Sequence, residues 1–283
     1  MERIALKLGY LGTNYHGFQI QPQFAGPTIE GELFTALQRL NIVEDRAVSN
    51  YAAAGRTDKG AHALSQVVSF DTANPKVTPR MINSLLPDDI WVFALAKPSS
   101  EFNARRDAIS RAYRYFLWRQ PEENLDVARM REASELFIGT HDFSNFSQPP
   151  GHNEQEAQYY SPIREIKRLE IATDGSRSFI AFDIEANSFL RKMVRKIVSA
   201  LKLVGGGTKD TQWVEDLVER RITEQVEPAP AFGLILKEVS YRDAEFVADE
   251  YAKLRIAARL NEALAFHATI SEVLDEMVRR YEG

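Results

Sequence analysis

The sequence predicts an α+β protein: two ferredoxin-like (split βαβ) halves, with mixed or antiparallel sheets flanking a central cleft, and a C-terminal helical tail. Two observations carry this. Apolar patterns of period 2 and period 3.6 succeed one another as β-α-β-β-α-β over residues 1–106, and the same order returns over 107–243. Residues 244–283 then read as alanine-rich helix. These ranges are the expected domains.

Ile4, Leu6, Leu8 and Tyr10 alternate with Ala5, Lys7 and Gly9, the pattern of a strand with one buried face. A turn-rich loop follows, Gly12 to Gln23, in which Gln19, Gln21 and Gln23 stand near aromatic residues. Such a loop can meet unpaired bases by hydrogen bonding and stacking, or be a plain polar surface loop. Thr28 is set to cap a helix whose stripe is Leu33, Phe34, Leu37 and Leu40. Strands are expected over 47–54 and 66–70, with a charged loop between them. Thr78-Pro79 opens a short helix that Pro87 stops, and 90–95 is a buried strand.

In the second half, 111–118 reads as a strand and Asp126 as the cap of a helix carrying Val127, Met130, Ala133 and Phe137, ended by Gly139. Strands near 164–171 and 179–185 follow, then a helix over 189–204, a shorter one over 211–221, and a strand at 234–239. On the 189–204 helix, apolar residues cover one arc and Arg191, Lys192, Arg195, Lys196 and Lys202 the other. In the tail, Thr269-Ile270-Ser271-Glu272 has the form of a capping box.

Composition narrows the function classes. A hydrophobic fraction of 44% with 27% charged residues is that of a soluble globular protein, and no apolar run reaches the length of a membrane span. The chain has no cysteine, which excludes disulfides and thiolate metal sites and points to the cytoplasm. The net charge of -5 is concentrated in the tail, where residues 244–283 carry eight acidic and five basic side chains. A nucleic-acid surface must therefore come from local clusters of arginine and lysine. The histidines His16, His62, His141, His152 and His267 lack metal-binding spacing, and no glycine-rich dinucleotide fingerprint is present, so neither metal nor cofactor is expected.

The chemistry is concentrated in Gly55-Arg56-Thr57-Asp58-Lys59-Gly60-Ala61-His62. Asp-Lys-Gly is ordinary turn chemistry, and a loop held by strands is also where catalytic groups are often presented. It is not a phosphate-binding P-loop, because Ala61-His62 follows the second glycine where Lys-Ser/Thr is needed. Phe102-Asn103-Ala104-Arg105-Arg106, with Arg111 and Arg114 beyond it, concentrates positive charge suited to phosphates or to a solvated linker.

This loop resembles the signature of the tRNA pseudouridine synthase A (TruA) family, with Ala61 where valine is usual. Tyr15-His16-Gly17-Phe18-Gln19, Phe102–Arg105 and Phe189–Arg195 are similar to further family segments in the same order, over roughly residues 1 to 242. The resemblance implies two α+β halves about a cleft, a homodimer, and isomerisation of uridine to pseudouridine at positions 38 to 40 of the tRNA anticodon arm. It implies Asp58 as nucleophile, Arg195 as its partner and Tyr113 stacked on the target base. Arg56 would help position the carboxylate, and Arg105, Arg106, Gln19, Gln21, Arg191 and Lys192 would contact RNA.

The reaction is redox-neutral, so absent cofactor motifs fit it. It needs a carboxylate that attacks the nucleotide or abstracts a ribose proton in a pocket closed to water. Two rivals differ in class. A non-catalytic RNA-binding module would leave tRNA unchanged, and a glycosidic hydrolase would pair two carboxylic groups, where this loop pairs one with cations.

Overall fold

In the computed structural model, which describes residues 1–20, 26–74, 76–120, 122–149, 160–173 and 178–282, the strands of both halves form one mixed sheet. The alternating N-terminus becomes β1 (Glu2–Tyr10), which pairs antiparallel with β3 (His62–Thr72) on one side and β4 (Ile90–Ala96) on the other. A central strand buries both faces, so Ala5 is as enclosed as Ile4, Leu6 and Leu8. The second half contributes β5 (Ala108–Trp118), β6 (Gly139–Asp142), β7 (Ile163–Thr173), β8 (Phe179–Ala186) and β9 (Leu234–Tyr241).

The two halves are joined edge to edge by a short parallel pairing of β3 with β9, in which His62 faces Ile235 and Ala63 faces Leu236. The strand order is β10-β4-β1-β3-β9-β5-β8-β7-β6, where β10 is Val247–Ala248, and a two-residue β2 (Ala52–Ala53) lies on β3. The sheet runs through from one half to the other, and the loop that carries Asp58 leads into β3 at this junction.

The helix starts follow the predicted caps. In α1 (Ile29–Arg39), Thr28 Oγ1 accepts from the Gly31 N–H; in α2 (Pro79–Asn83), Thr78 does the same for Met81. In α3 (Val127–Glu135), Asp126 accepts from Ala128 and Arg129. Helix α4 (Met193–Gly205) buries Met193, Ile197, Val198, Leu201 and Val204, packs on α3 and β5, and closes at Gly207 (φ +72°), where the Thr208 N–H returns to the Leu203 carbonyl. Helix α5 (Thr211–Val218) follows, and α6 (Glu250–Glu282) forms the tail.

Four local expectations are corrected. Residues 45–50 fold as a turn, with Asp45 Oδ1 accepting from Ala47 and Val48 and Asn50 at φ 45°, leaving only β2 of the strand expected over 47–54. Helix α4 starts at Met193, not 189, because Lys192 is left-handed (φ 64°) and ends the preceding turn. Lys196 is not on an open basic arc: it is buried, donating to the Ser147 carbonyl and Gln225 Oε1. The capping box at 269–272 is absent, since α6 runs through it and the Thr269 hydroxyl bonds back to the Ala265 carbonyl.

The start of α6 is tied to the body. Ala252 is buried, Arg80 pairs with Asp249 and lies over the Tyr251 ring, and Arg259 bonds Asp88. From Leu264 to Tyr281 every residue is exposed. Among the described residues no helix is long and apolar enough to cross a membrane.

Candidate active site at the junction of the halves

Between β2 and β3 the chain makes the predicted turn: the Ala61 N–H donates to the Asp58 carbonyl and Gly60 takes φ +82°. The turn is fixed from below. Buried Gln66 donates to the Gly55 carbonyl, and the Thr57 hydroxyl shares a 2.8 Å hydrogen bond with the buried Tyr10 phenol. It is fixed from the side by residues 12–18, where the Phe18 N–H donates to the Thr57 carbonyl. The approach is so close that a Cβ on Gly12 would lie 1.9 Å from the Ala61 carbonyl oxygen. A turn held this way presents its one carboxylate to α4, so turn chemistry and a catalytic role are compatible here.

Asp58 meets Arg195 of α4. Arg195 Nη1 donates to Asp58 Oδ2 at 2.5 Å, with side-chain exposures of 12% for Arg195 and 23% for Asp58. Arg195 is clasped in turn: Nε donates to the Ala229 carbonyl at 2.6 Å, and the Ala229 N–H donates back to the Arg195 carbonyl. Neighbouring Pro230 accepts from the Tyr115 hydroxyl. A guanidinium with two fixed acceptors is a pre-aimed donor, and an ionised pair of this kind gives a short, strong bond. The second carboxylate oxygen, Oδ1, is not taken by that bond.

Tyr113 completes the group. It is 7% exposed, stands edge-on to Phe189 with ring centroids 5.0 Å apart, and its hydroxyl lies beside Gly55. Burial pushes its phenol up to about 12; Arg111 opposes that and the Asp58 carboxylate adds to it. The ring is therefore a neutral aromatic wall within the field of the Asp58 charge.

Other expected residues fall differently. Arg56, Arg105 and Arg191 are exposed, Gln19 and Lys192 are half-buried, and Gln21 lies outside the described residues, as does His152. Arg106 is exposed and bonds Asp107 and the Glu101 carbonyl. Arg111 and Arg114, whose charge in sequence suits phosphates or a solvated linker, are instead engaged within the protein. Buried Arg111 donates to the carbonyls of Ala54, Arg105, Ala108 and Asn187, and Arg114 forms a fork on Asp183. Sequence reasoning set His62 aside, yet it bridges Gly12 and Phe232; its position directly after the loop was the available signal. Among the described residues no three His, Cys, Asp or Glu side chains gather as a metal site.

The family model for tRNA pseudouridine synthase matches residues 133–242. The chain is 44% identical over 279 residues to tRNA pseudouridine synthase A of Methanosarcina mazei, covering 98% of each chain. It is 42% identical over 271 residues to the protein of that name from Archaeoglobus fulgidus, covering 95% of each. Likeness to solved structures is weak: for a Cbf5-Nop10-Gar1 complex the TM-score is 0.37 at 12% identity, over 83% of this chain and 49% of that one. Identity of more than two residues in five along the whole length makes this chain a member of the tRNA pseudouridine synthase A family, whose members are isomerases.

Proposed function

We propose that the protein converts uridine to pseudouridine in the anticodon arm of tRNA, at positions 38 to 40 or a subset of them, with Asp58 as nucleophile. The observation that carries this is the Asp58–Arg195 pair, made by a loop of one half and a helix of the other. In the proposed reaction Asp58 attacks C1′ as the N1–C1′ bond breaks. The freed uracil turns, C5 attacks C1′ and expels the carboxylate, and the proton lost from C5 is balanced by one gained at N1. Atoms and charge are conserved, so no external reactant is consumed.

A paired uridine cannot reach a half-buried carboxylate, so the target nucleotide is everted, at a cost of a few kcal/mol. Tyr113 supplies an aromatic face against the base, worth ~1–3 kcal/mol in comparable stacking. Arg56 is proposed to help position the Asp58 carboxylate, and Arg105, Arg106, Arg191, Lys192, Gln19 and Gln21 are proposed as RNA contacts. The strand orders β4-β1-β3-β2 and β9-β5-β8-β7 support a reading of residues 1–106 and 107–243 as two split-βαβ halves, with 244–283 as an extension. Working on tRNA, the protein would act in the cytoplasm.

We further propose a homodimer. The stripe that seats α6 on the body (Ala252, Ile256, Leu260, Ala263) continues at helical spacing into Ile270, Leu274, Met277 and Tyr281, which are exposed in a single chain. An apolar face of that length supports a partner helix. The test of activity is incubation with unmodified tRNA and no additive, followed by chemical mapping of pseudouridine. Conversion confined to the anticodon arm supports the reading, and tRNA bound but unmodified would leave only a binding module.

A further inference from the structure

His62 sits where β3 begins, at the residue pair that joins the two halves of the sheet. Its ring is held at both nitrogens. The Gly12 main-chain N–H points at Nδ1 at 3.1 Å, and Nε2 lies 3.1 Å from the Phe232 carbonyl. These partners determine the tautomer. A main-chain N–H can only donate, so Nδ1 is a bare acceptor; a carbonyl can only accept, so Nε2 carries the hydrogen. Protonation would set one N–H against another at Gly12. Burial accordingly lowers the pKa of this imidazole, although the Phe232 carbonyl pulls the other way.

What the ring connects is specific. Gly12 begins the segment that leans on the Asp58 turn and reaches Gln19. Phe232 follows Ala229 and Pro230, the stretch that accepts from Arg195 Nε and from Tyr115. The histidine thus ties the end of the Asp58 turn to the segment that aims the arginine, across the junction of the halves. We infer that His62, as its neutral Nε2–H tautomer, is a positioning residue that holds the Asp58 loop in register with the Arg195-aligning segment through its bond to Phe232. The inference rests on the reading of Asp58 as nucleophile. It assigns His62 no contact with substrate.

Three variants separate the two bonds. The amide nitrogen of glutamine reaches about as far as Nε2, so His62→Gln keeps the bond to Phe232. The amide oxygen of asparagine reaches only about as far as Nδ1, so His62→Asn keeps the bond to Gly12, and His62→Ala keeps neither. Displacing reacting groups by about an ångström costs on the order of 10–100-fold in rate, so His62→Asn and His62→Ala should lose that much kcat with KM for tRNA unchanged. His62→Gln should return kcat close to wild type. Folding of each variant is checked by circular dichroism, and if the alanine variant does not fold, the Gln–Asn comparison carries the test alone.

Equal kcat in all variants, rescue by Asn in place of Gln, or a loss confined to KM would overturn the inference. Asp58→Ala is run alongside. Activity in that variant would break the nucleophile reading itself, whereas an inactive Asp58→Ala with unaffected His62 variants breaks only the inference drawn here.

Discussion

Replacing Arg195 with alanine removes the donor that aims Asp58, and the structure bounds the consequence. One charge-assisted bond of 2.5 Å is lost at the carboxylate, and the Ala229 carbonyl loses its side-chain donor. Hydrogen bonds to charged groups are worth about 1.5–3 kcal/mol. At about 1.4 kcal/mol per factor of ten, turnover should fall roughly 10- to 150-fold. Stability should change less, because Asp58 is 23% exposed and water can reach the orphaned carboxylate.

Arg195→Lys should recover part of the rate and not all. A single ammonium cannot reproduce the planar fork that serves the carboxylate and the carbonyl together. The assay is single-turnover conversion of unmodified tRNA transcript, with pseudouridine scored by chemical labelling and tRNA affinity measured in parallel. A normal rate for Arg195→Ala, or a loss found only in affinity, would show that the pair is a structural tie and not part of the reaction.

Three further outcomes follow from the same geometry. Tyr113→Phe should keep most activity, since the phenol is neutral and only the ring is used, while Tyr113→Ala should lose ~1–3 kcal/mol of base contact; a large kcat loss in the phenylalanine variant would contradict this. Arg111→Ala should lower the melting temperature markedly, because four carbonyls lose a buried donor and each unsatisfied group costs ~1–3 kcal/mol; normal thermal stability with weakened RNA binding would restore Arg111 as a phosphate ligand. Truncation after Ala263 should yield a monomer by light scattering, because it removes the exposed stripe proposed to seat a partner helix; a truncated chain that is still dimeric would move the interface elsewhere.

The fold was readable where local chemistry decides it. Thr28, Thr78 and Asp126 announce their helices because a side-chain oxygen before an apolar period can satisfy the first free N–H groups. The capping box at 269–272 misled because such a box works only where the preceding residues are not helical, and nothing between 250 and 282 interrupts α6. Charge was the least readable property. Arg111, Lys196 and Arg105 look alike in composition, but one clamps carbonyls, one is buried on Gln225 and one is exposed; those fates depend on strand pairings far away in the chain.

The site divides along the same line. The Asp58 turn is local, and its shape follows from Asp-Lys-Gly. Its pairing with Arg195, 137 residues away, came from resemblance and could not come from spacing. His62 stands at the end of that loop, but the role of its ring depends on two partners distant in the chain, which spacing does not reveal. Each partner belongs to a different loop.

The most direct measurement of the central claim is Asp58→Ala under single turnover. The account predicts no pseudouridine at times when wild type has converted its tRNA fully, with affinity retained within about tenfold, a change of ~1.4 kcal/mol. Pseudouridine formed by that variant at a rate near wild type would contradict it.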